Sequence, residues 1–223
     1  VEGTGYDPMG SVNLIDGKTE TTTEKIEDFQ EYPHLNALLH SGYFNNNAKI
    51  VRKKKDIGDK VIDTWEAIGN PTEASLVTLY SKALPEGEMD FTVLHEFPFS
   101  SDLKRMSKVV EYQDKYQVHT KGATTIVLEK CKSIVSGGEV VPLTDKLKKN
   151  VVETMNEFAS RGFRVLSLCY KDLPEKPTDF EEKRDEFESD LTYLGFVTIL
   201  DPPRDNVDEA VKLCHHAGVD VVM

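Results

Sequence analysis

Three short clusters in the sequence could carry chemistry. Lys121-Gly122-Ala123 lies where a strand gives way to a helix, which offers backbone N–H groups and a helix N-terminus to phosphate oxygens. Gly122 lets a ligand approach the backbone there. Phe99, followed by Ser100-Ser101-Asp102-Leu103-Lys104-Arg105, sets an aromatic face beside basic side chains, a combination that can stack a base. Glu73 offers a carboxylate at the start of a helix. Asn70 as N-cap, Pro71 at N1 and Glu73 at N3 also read as a capping box, which accounts for Glu73 without any ligand. Each cluster alone is a common structural arrangement, because Lys-Gly pairs end many strands and most phenylalanines fill cores.

The charge distribution favours an anionic small ligand over a polyanion. The 223 residues carry 27 Lys+Arg against 39 Asp+Glu, a net charge of −12, which disfavours general binding to nucleic acid or an anionic membrane. Residues 101–132 run against that average, with seven basic and four acidic residues. Residues 175–190 hold eight acidic and three basic residues and read as an exposed, mobile segment. No GxxxxGK[ST], GxGxxG or GxSxG pattern occurs, so P-loop, Rossmann and nucleophile-elbow chemistries lack support. The six histidines make no metal-ligand spacing, and adjacent His215 and His216 diverge on a helix. Three separated cysteines suggest neither a disulfide framework nor a metal site and fit a reducing compartment.

The elements that must position these clusters follow from periodicity and punctuation. A short strand is expected within Ser11–Ile15, a polar loop over Lys18–Lys25, and a helix over 34–40 ended by Gly42. Arg52-Lys53-Lys54-Lys55 reads as a solvated strand edge or loop. A helix runs from Pro71 through Ala74, Leu76, Val77 and Tyr80. Phe91–Phe99 is a strand, and 107–112 with 116–120 form a hairpin turning near Gln113-Asp114-Lys115. A short helix covers Ala123–Cys131. Thr144 caps a longer one whose Leu147, Val151, Met155, Phe158 and Ala159 make one apolar stripe ended by Gly162. Strands over 164–170 and 191–200, a rigid Asp201-Pro202-Pro203-Arg204 turn, a helix over 205–217 and a final strand at Val219–Met223 complete the chain. The fold class is α+β (α/β), an antiparallel β-sheet flanked by helices. No apolar run approaches the roughly 18–20 residues of a membrane-spanning helix. A first residue other than Met and a strand stopped before any turn suggest a piece of a longer protein.

Taken in order, five motifs carry a resemblance. Gly69-Asn70-Pro71-Thr72-Glu73, Phe97-Pro98-Phe99 with Lys104-Arg105-Met106-Ser107, Lys121-Gly122-Ala123, Gly162-Phe163-Arg164-Val165-Leu166 and Asp201-Pro202-Pro203-Arg204 together closely resemble the nucleotide-binding (N) domain of type II P-type cation-transporting ATPases. The resemblance implies an N domain over residues 1–203 and, over 204–223, the start of the return into the phosphorylation domain. It implies ATP with Mg²⁺ as ligand. Phe99 would stack on adenine, Glu73 would approach the base's amino group, and Lys104 and Lys121 would line the pocket towards ribose and phosphates. Gly122 and Ala123 would let the nucleotide lie against the backbone, and Arg164 would meet the phosphate end. Arg204 would belong to the hinge with Asp201. At Ser101 calcium pumps often carry an arginine, so a phosphate contact made there is expected to be missing.

The resemblance further implies a cytoplasmic domain of an integral membrane pump, partnered by the phosphorylation and actuator domains of the same parent chain and meeting the membrane only through that parent's transmembrane helices. The family's Asp-Lys-Thr-Gly-Thr and Thr-Gly-Asp motifs are absent from this sequence, so the chain is expected to bind ATP without turning it over. Similarity around Phe97-Pro98-Phe99 and Lys212–Gly218 leans towards fungal and protist alkali-cation (sodium) pumps, with calcium pumps nearly level. Two other readings are a non-catalytic interaction module that docks an acidic partner on the basic 101–132 face, and a free-standing hydrolase, disfavoured for want of a nucleophile.

Overall fold

The computed structural model describes residues 1–16, 21–57, 60–85, 89–200 and 206–222. The Asp201-Pro202-Pro203-Arg204 turn, and Arg204 with it, lies outside the described residues. Along the chain run β1 (Asn13–Ile15), β2 (Thr22–Lys25), a 3-10 turn (Phe29–Glu31), α1 (Pro33–Phe44), β3 (Lys49–Ile57), β4 (Lys60–Ile68) and α2 (Pro71–Ala83). Then follow β5 (Thr92–Ser100), β6 (Arg105–Tyr112), β7 (Lys115–Gly122), α3 (Thr124–Lys130), β8 (Cys131–Ser136), β9 (Glu139–Pro142), α4 (Asp145–Ser160), β10 (Arg164–Leu173), α5 (Arg184–Phe187), β11 (Leu191–Ile199) and α6 (Val207–His216).

Seven strands form one sheet in the order β5-β6-β7-β10-β11-β8-β9. All its pairs are antiparallel except β11 with β8. The β6–β7 hairpin turns where expected: Gln113 and Asp114 both adopt left-handed backbone, and Tyr112 pairs with Lys115, the geometry of a tight two-residue hairpin. The basic run is a strand edge, as expected, in the separate β3–β4 hairpin, where Arg52 and Lys53 pair with Asp63 and Glu66. No helix among the described residues is long and apolar enough to cross a membrane.

The two faces of the sheet are covered by different parts of the chain. On one, α1 and α2 pack together, with Leu39, Tyr80 and Ala83 buried against Val12, Ile26 and Phe29. On the other, Phe187 is buried against Phe97, Val109 and Val118, and Phe180 packs on the same cluster. A third cluster joins Val127, Leu128, Cys169 and Leu191, with Leu147, Val151 and Val152 of α4 laid on it. Thr144 caps α4 by accepting from the Leu147 N–H, and Gly162 at φ +85° ends it, both as the sequence indicates.

Four expectations are corrected. α1 does not stop at Gly42 but runs to Phe44, because Gly42 does not take the left-handed backbone that ends a helix and the Asn45 N–H bonds the Ser41 carbonyl. Within the expected polar loop over Lys18–Lys25, Thr22–Lys25 pair with β1 as a strand. Val219–Val222 form no strand, since a strand exists only where a neighbour completes its ladder. The acidic stretch 175–190 is not a free tail: Phe180 and Phe187 anchor it to the sheet and Glu188 is fully buried.

His119 is buried on β7 against the Phe44 and Tyr170 rings, with Nε2 3.3 Å from Gln117 Oε1. Burial, helped by nearby His40, pushes its pKa down to about 3 from 6.5. The unfolded chain therefore takes up a proton below about pH 6.5 that the native imidazole refuses until about pH 3, so this group withdraws stability as pH falls through that window, by an amount on the order of several kcal/mol. Urea unfolding at pH 7 and pH 5 should show His119→Gln losing less stability on acidification than the parent. Equal losses would contradict the neutral buried imidazole.

Candidate functional site

The start of α2, the end of α1 and the middle of the sheet meet around one buried ion pair. Lys121 is the penultimate residue of β7, and its Nζ lies 2.7 Å from Glu73 Oε1, with side-chain exposures of only 7% and 13%. Lys121 Nζ also donates to the Asn45 carbonyl, and the Asn47 N–H donates to Glu73 Oε2 at 3.0 Å. Burial pushes the Lys121 pKa down; the Glu73 carboxylate opposes that shift and nearby Lys108 adds to it. Glu73 is therefore not a capping-box residue. Asn70 caps α2 by accepting from the Thr72 N–H, and the Glu73 carboxylate turns to the sheet.

Around this pair the chain builds a closed polar floor. Asn45, Asn46 and Asn47 follow α1 directly. Asn45 Nδ2 donates to the Met106 carbonyl, Asn46 Nδ2 to the Glu73 carbonyl, and Asn47 Nδ2 to the Glu96 carboxylate at 2.9 Å. Lys108 donates to the Asn46 carbonyl and to Asn47 Oδ1, both at 2.6 Å, and lies 3.5 Å from Glu96. Two ammonium groups thus face two carboxylates, with the asparagine backbone and amides bonding what remains. That matching is what buried charge requires.

Phe99 stands at the rim of this floor. Regular alternation would bury both Phe97 and Phe99, yet Phe97 is 6% exposed and Phe99 is 64% exposed. The cause is a break in register between Phe97 and Ser100, where three steps on β5 face two on β6. Pro98, which has no N–H for the ladder, sits in the break. Because Ser100 pairs with Arg105, the register puts Phe99 on the sheet face shared by Met106 and Lys121. With β5 and β7 two strands apart, about 10 Å separates their backbones at this level of the sheet.

Gly122 and Ala123 behave differently from expectation. A Cβ on Gly122 would lie 2.5 Å from the Lys104 carbonyl oxygen and 2.8 Å from Arg105 Cβ, so the glycine admits the neighbouring strand rather than a ligand. The Ala123 N–H is taken by the Lys104 carbonyl at 3.0 Å and is not on offer to an anion. Lys104 itself, with left-handed backbone at φ 50°, ends an exposed turn closed by its N–H on the Ser100 carbonyl at 2.7 Å. Ser101 lies exposed on the same turn.

Arg164 opens β10 at the far side of α2, where its Nη1 bonds Thr72 Oγ1 at 2.5 Å, one residue from Glu73. It borders a cavity of about 630 Å³ with Thr72, Ser75, Gly162 and Phe163. Arg164 and Glu73 thus both lie at the start of α2, while Phe99 and Lys121 share one face of the sheet. Of the seven basic residues in 101–132, Arg105, Lys108 and Lys121 are buried in internal ion pairs and Lys130 pairs with Asp185, which leaves Lys104, Lys115 and Lys132 exposed.

With this geometry in place, comparison with known proteins is informative. The family model for the P-type ATPase cytoplasmic domain N matches residues 34–206. The chain belongs to this family. It is 33% identical over its whole length to a calcium-transporting ATPase of Bacillus subtilis (strain 168), covering 23% of that protein. It is 38% identical to the plasma membrane-type calcium-transporting ATPase 2 of Arabidopsis thaliana, over 83% of this chain and 18% of the relative. It is 37% identical to the sodium/potassium exporting P-type ATPase cta3 of Schizosaccharomyces pombe, over 71% of this chain and 15% of the relative. The chain thus spans less than a quarter of these relatives' lengths.

Within this N domain, sequence reading missed the asparagine run, Lys108 and Glu96. A triple asparagine directly after a helix was a usable signal, since asparagine side chains can bond backbone groups that a helix end leaves open. The partners of Asn45 and Asn47 lie 26–76 residues away and could not be read from spacing.

Because both members of the central pair are buried, removing one strands the other. Urea unfolding should show Glu73→Leu costing about 3–5 kcal/mol. Glu73→Leu with Lys121→Met should cost less than the two single changes together, the signature of direct coupling. Strict additivity would contradict the pairing.

Proposed function

We propose that the chain is the ATP-binding domain of a cation-transporting P-type ATPase. The observation that carries this reading is an exposed aromatic ring on the same sheet face as the buried Glu73–Lys121 pair, in a chain of the N-domain family. Adenine stacks on Phe99, and its amino edge faces the Glu73 carboxylate. The ribose and phosphates run past the turn at Lys104 and across the start of α2 towards Arg164. Lys121 holds Glu73 in place from below and does not reach the phosphates. Gly122 and Ala123 act by letting β6 approach, which sets the height of the turn under the nucleotide.

In this reading Mg²⁺ arrives as a companion of the ATP phosphates. Transfer of the γ-phosphoryl group needs an in-line nucleophile. In this reading the nucleophile is an aspartate of the phosphorylation domain, which this domain approaches with ATP loaded, while the actuator domain and membrane helices convert the phosphorylated state into ion movement. Residues 1–203 form the N domain and 204–223 begin the return to the phosphorylation domain. The transported cation is Ca²⁺ or an alkali cation such as Na⁺, the two cargoes represented by the names of the relatives.

Isothermal titration with ATP tests the adenine assignment. Loss of a base–aromatic stack is worth roughly 1–3 kcal/mol, so Phe99→Ala should weaken binding by about 5- to 150-fold. Unchanged affinity would remove Phe99 from the site.

A further inference from the structure

The acidic segment before β11 grips the loop that carries Phe99 from both sides. Arg184 Nη1 donates to the Pro98 carbonyl at 3.2 Å and Nη2 to the Arg105 carbonyl at 3.1 Å, so one guanidinium spans the two ends of the β5–β6 turn. Its Nε donates to Glu188 Oε1 at 3.0 Å, and its Cζ lies 5.8 Å from the Phe97 ring centroid. Glu188, fully buried, also accepts from Arg105 Nε and from Ser107 Oγ, each at 2.6 Å. Arg105 in turn donates to the Leu103 carbonyl at 3.5 Å and to Asp185 at 3.4 Å.

These contacts answer the problem that the register break creates. A bulge at Pro98 turns Phe99 outward but leaves the loop short of ladder bonds on both flanks. Carbonyls at positions 98, 103 and 105 are bonded by Arg184 and Arg105, and both arginines are fixed by the one Glu188 carboxylate. A planar guanidinium with several donors in fixed directions can bridge three acceptors at once; a lysine ammonium on a flexible stem cannot reproduce that geometry. Holding an aromatic platform still lowers the ordering cost when a ligand stacks on it.

We infer that Arg184, oriented by Glu188, is a positioning residue for base recognition: it clamps the 98–105 turn so that Phe99 is presented outward before the nucleotide arrives. This inference rests on the nucleotide-binding reading of the site. Arg184 acts through Phe99 and bonds neither the ion pair nor Arg164.

The test is a double-mutant cycle read by titration with MgATP, combined with hydrogen–deuterium exchange of the unliganded chain. Arg184→Ala should weaken binding about tenfold in the parent, with almost no further loss in a Phe99→Ala background, since the clamp then has no ring to present. Arg184→Lys keeps the charge and should not restore affinity. Without nucleotide, Arg184→Ala should speed exchange of the Lys104 and Ala123 amides while leaving α2 unchanged. Equal losses of affinity in both backgrounds, recovery by lysine, or unaltered exchange in the turn would overturn the assignment. If the parent chain binds no MgATP, the nucleotide reading itself fails. The exchange arm then still reports whether Arg184 holds the turn.

Discussion

Keeping one ammonium and one carboxylate charged out of water is the constraint on which the rest of this structure depends. Glu73 comes from the first turn of α2 and Lys121 from the end of β7, so their bond ties the helical layer to the central hairpin. Burying two charges costs several kcal/mol per ion unless geometry and extra hydrogen bonds compensate. The chain meets that demand by ending α1 in three asparagines, whose amides and carbonyls surround the pair, and by adding Lys108 and Glu96 as a second balanced couple. Helix packing, strand register and the line of α1 into β3 are thereby set against one another around this pair.

A similar economy governs the rim. The outward turn of Phe99 needs a bulge, the bulge leaves carbonyls unpaired, and the arginines that bond them need a buried counter-charge, which Glu188 supplies. Gly122 belongs to the same construction, since only the absence of a Cβ lets the Lys104 carbonyl come close enough to take the Ala123 N–H. The overall charge of −12 conceals this: three of the seven basic residues of 101–132, Arg105, Lys108 and Lys121, lie buried opposite acidic partners drawn from distant segments. Exposed positive charge near the rim comes from Lys104, with Arg164 at the far end.

Local signals made much of this legible from residues alone. The Asn70 cap, the Gln113-Asp114 turn, the α4 stripe between Thr144 and Gly162, and the α+β class all rest on interactions within a few residues, and they hold in the structure. Expectation failed where a distant partner decides. Glu73 reads as a capping residue until Lys121, 48 positions away, is brought beside it. The stretch 175–190 reads as a solvated acidic run because the arginine that buries Glu188 lies 83 positions earlier. Gly122 has the same spacing whether a ligand or a strand fills the gap, and only the fold distinguishes them. The expected site residues were named from motifs; the buried pair, the outward Phe99 and the Arg184 contacts are set by packing.

In the proposed function, ligand recognition is concentrated where the Glu73–Lys121 pair meets the Phe99 rim. Titrating MgATP into the uniformly ¹⁵N-labelled chain and following backbone amide shifts tests it most directly. The largest shifts are expected at Glu73, in the turn around Phe99–Lys104, at Lys121–Ala123 and near Arg164, with little change in β8, β9 and α6. Shifts centred elsewhere, for instance on the cavity bordered by Tyr43, Tyr80 and Phe91, with Phe99 and Lys121 unmoved, would contradict it.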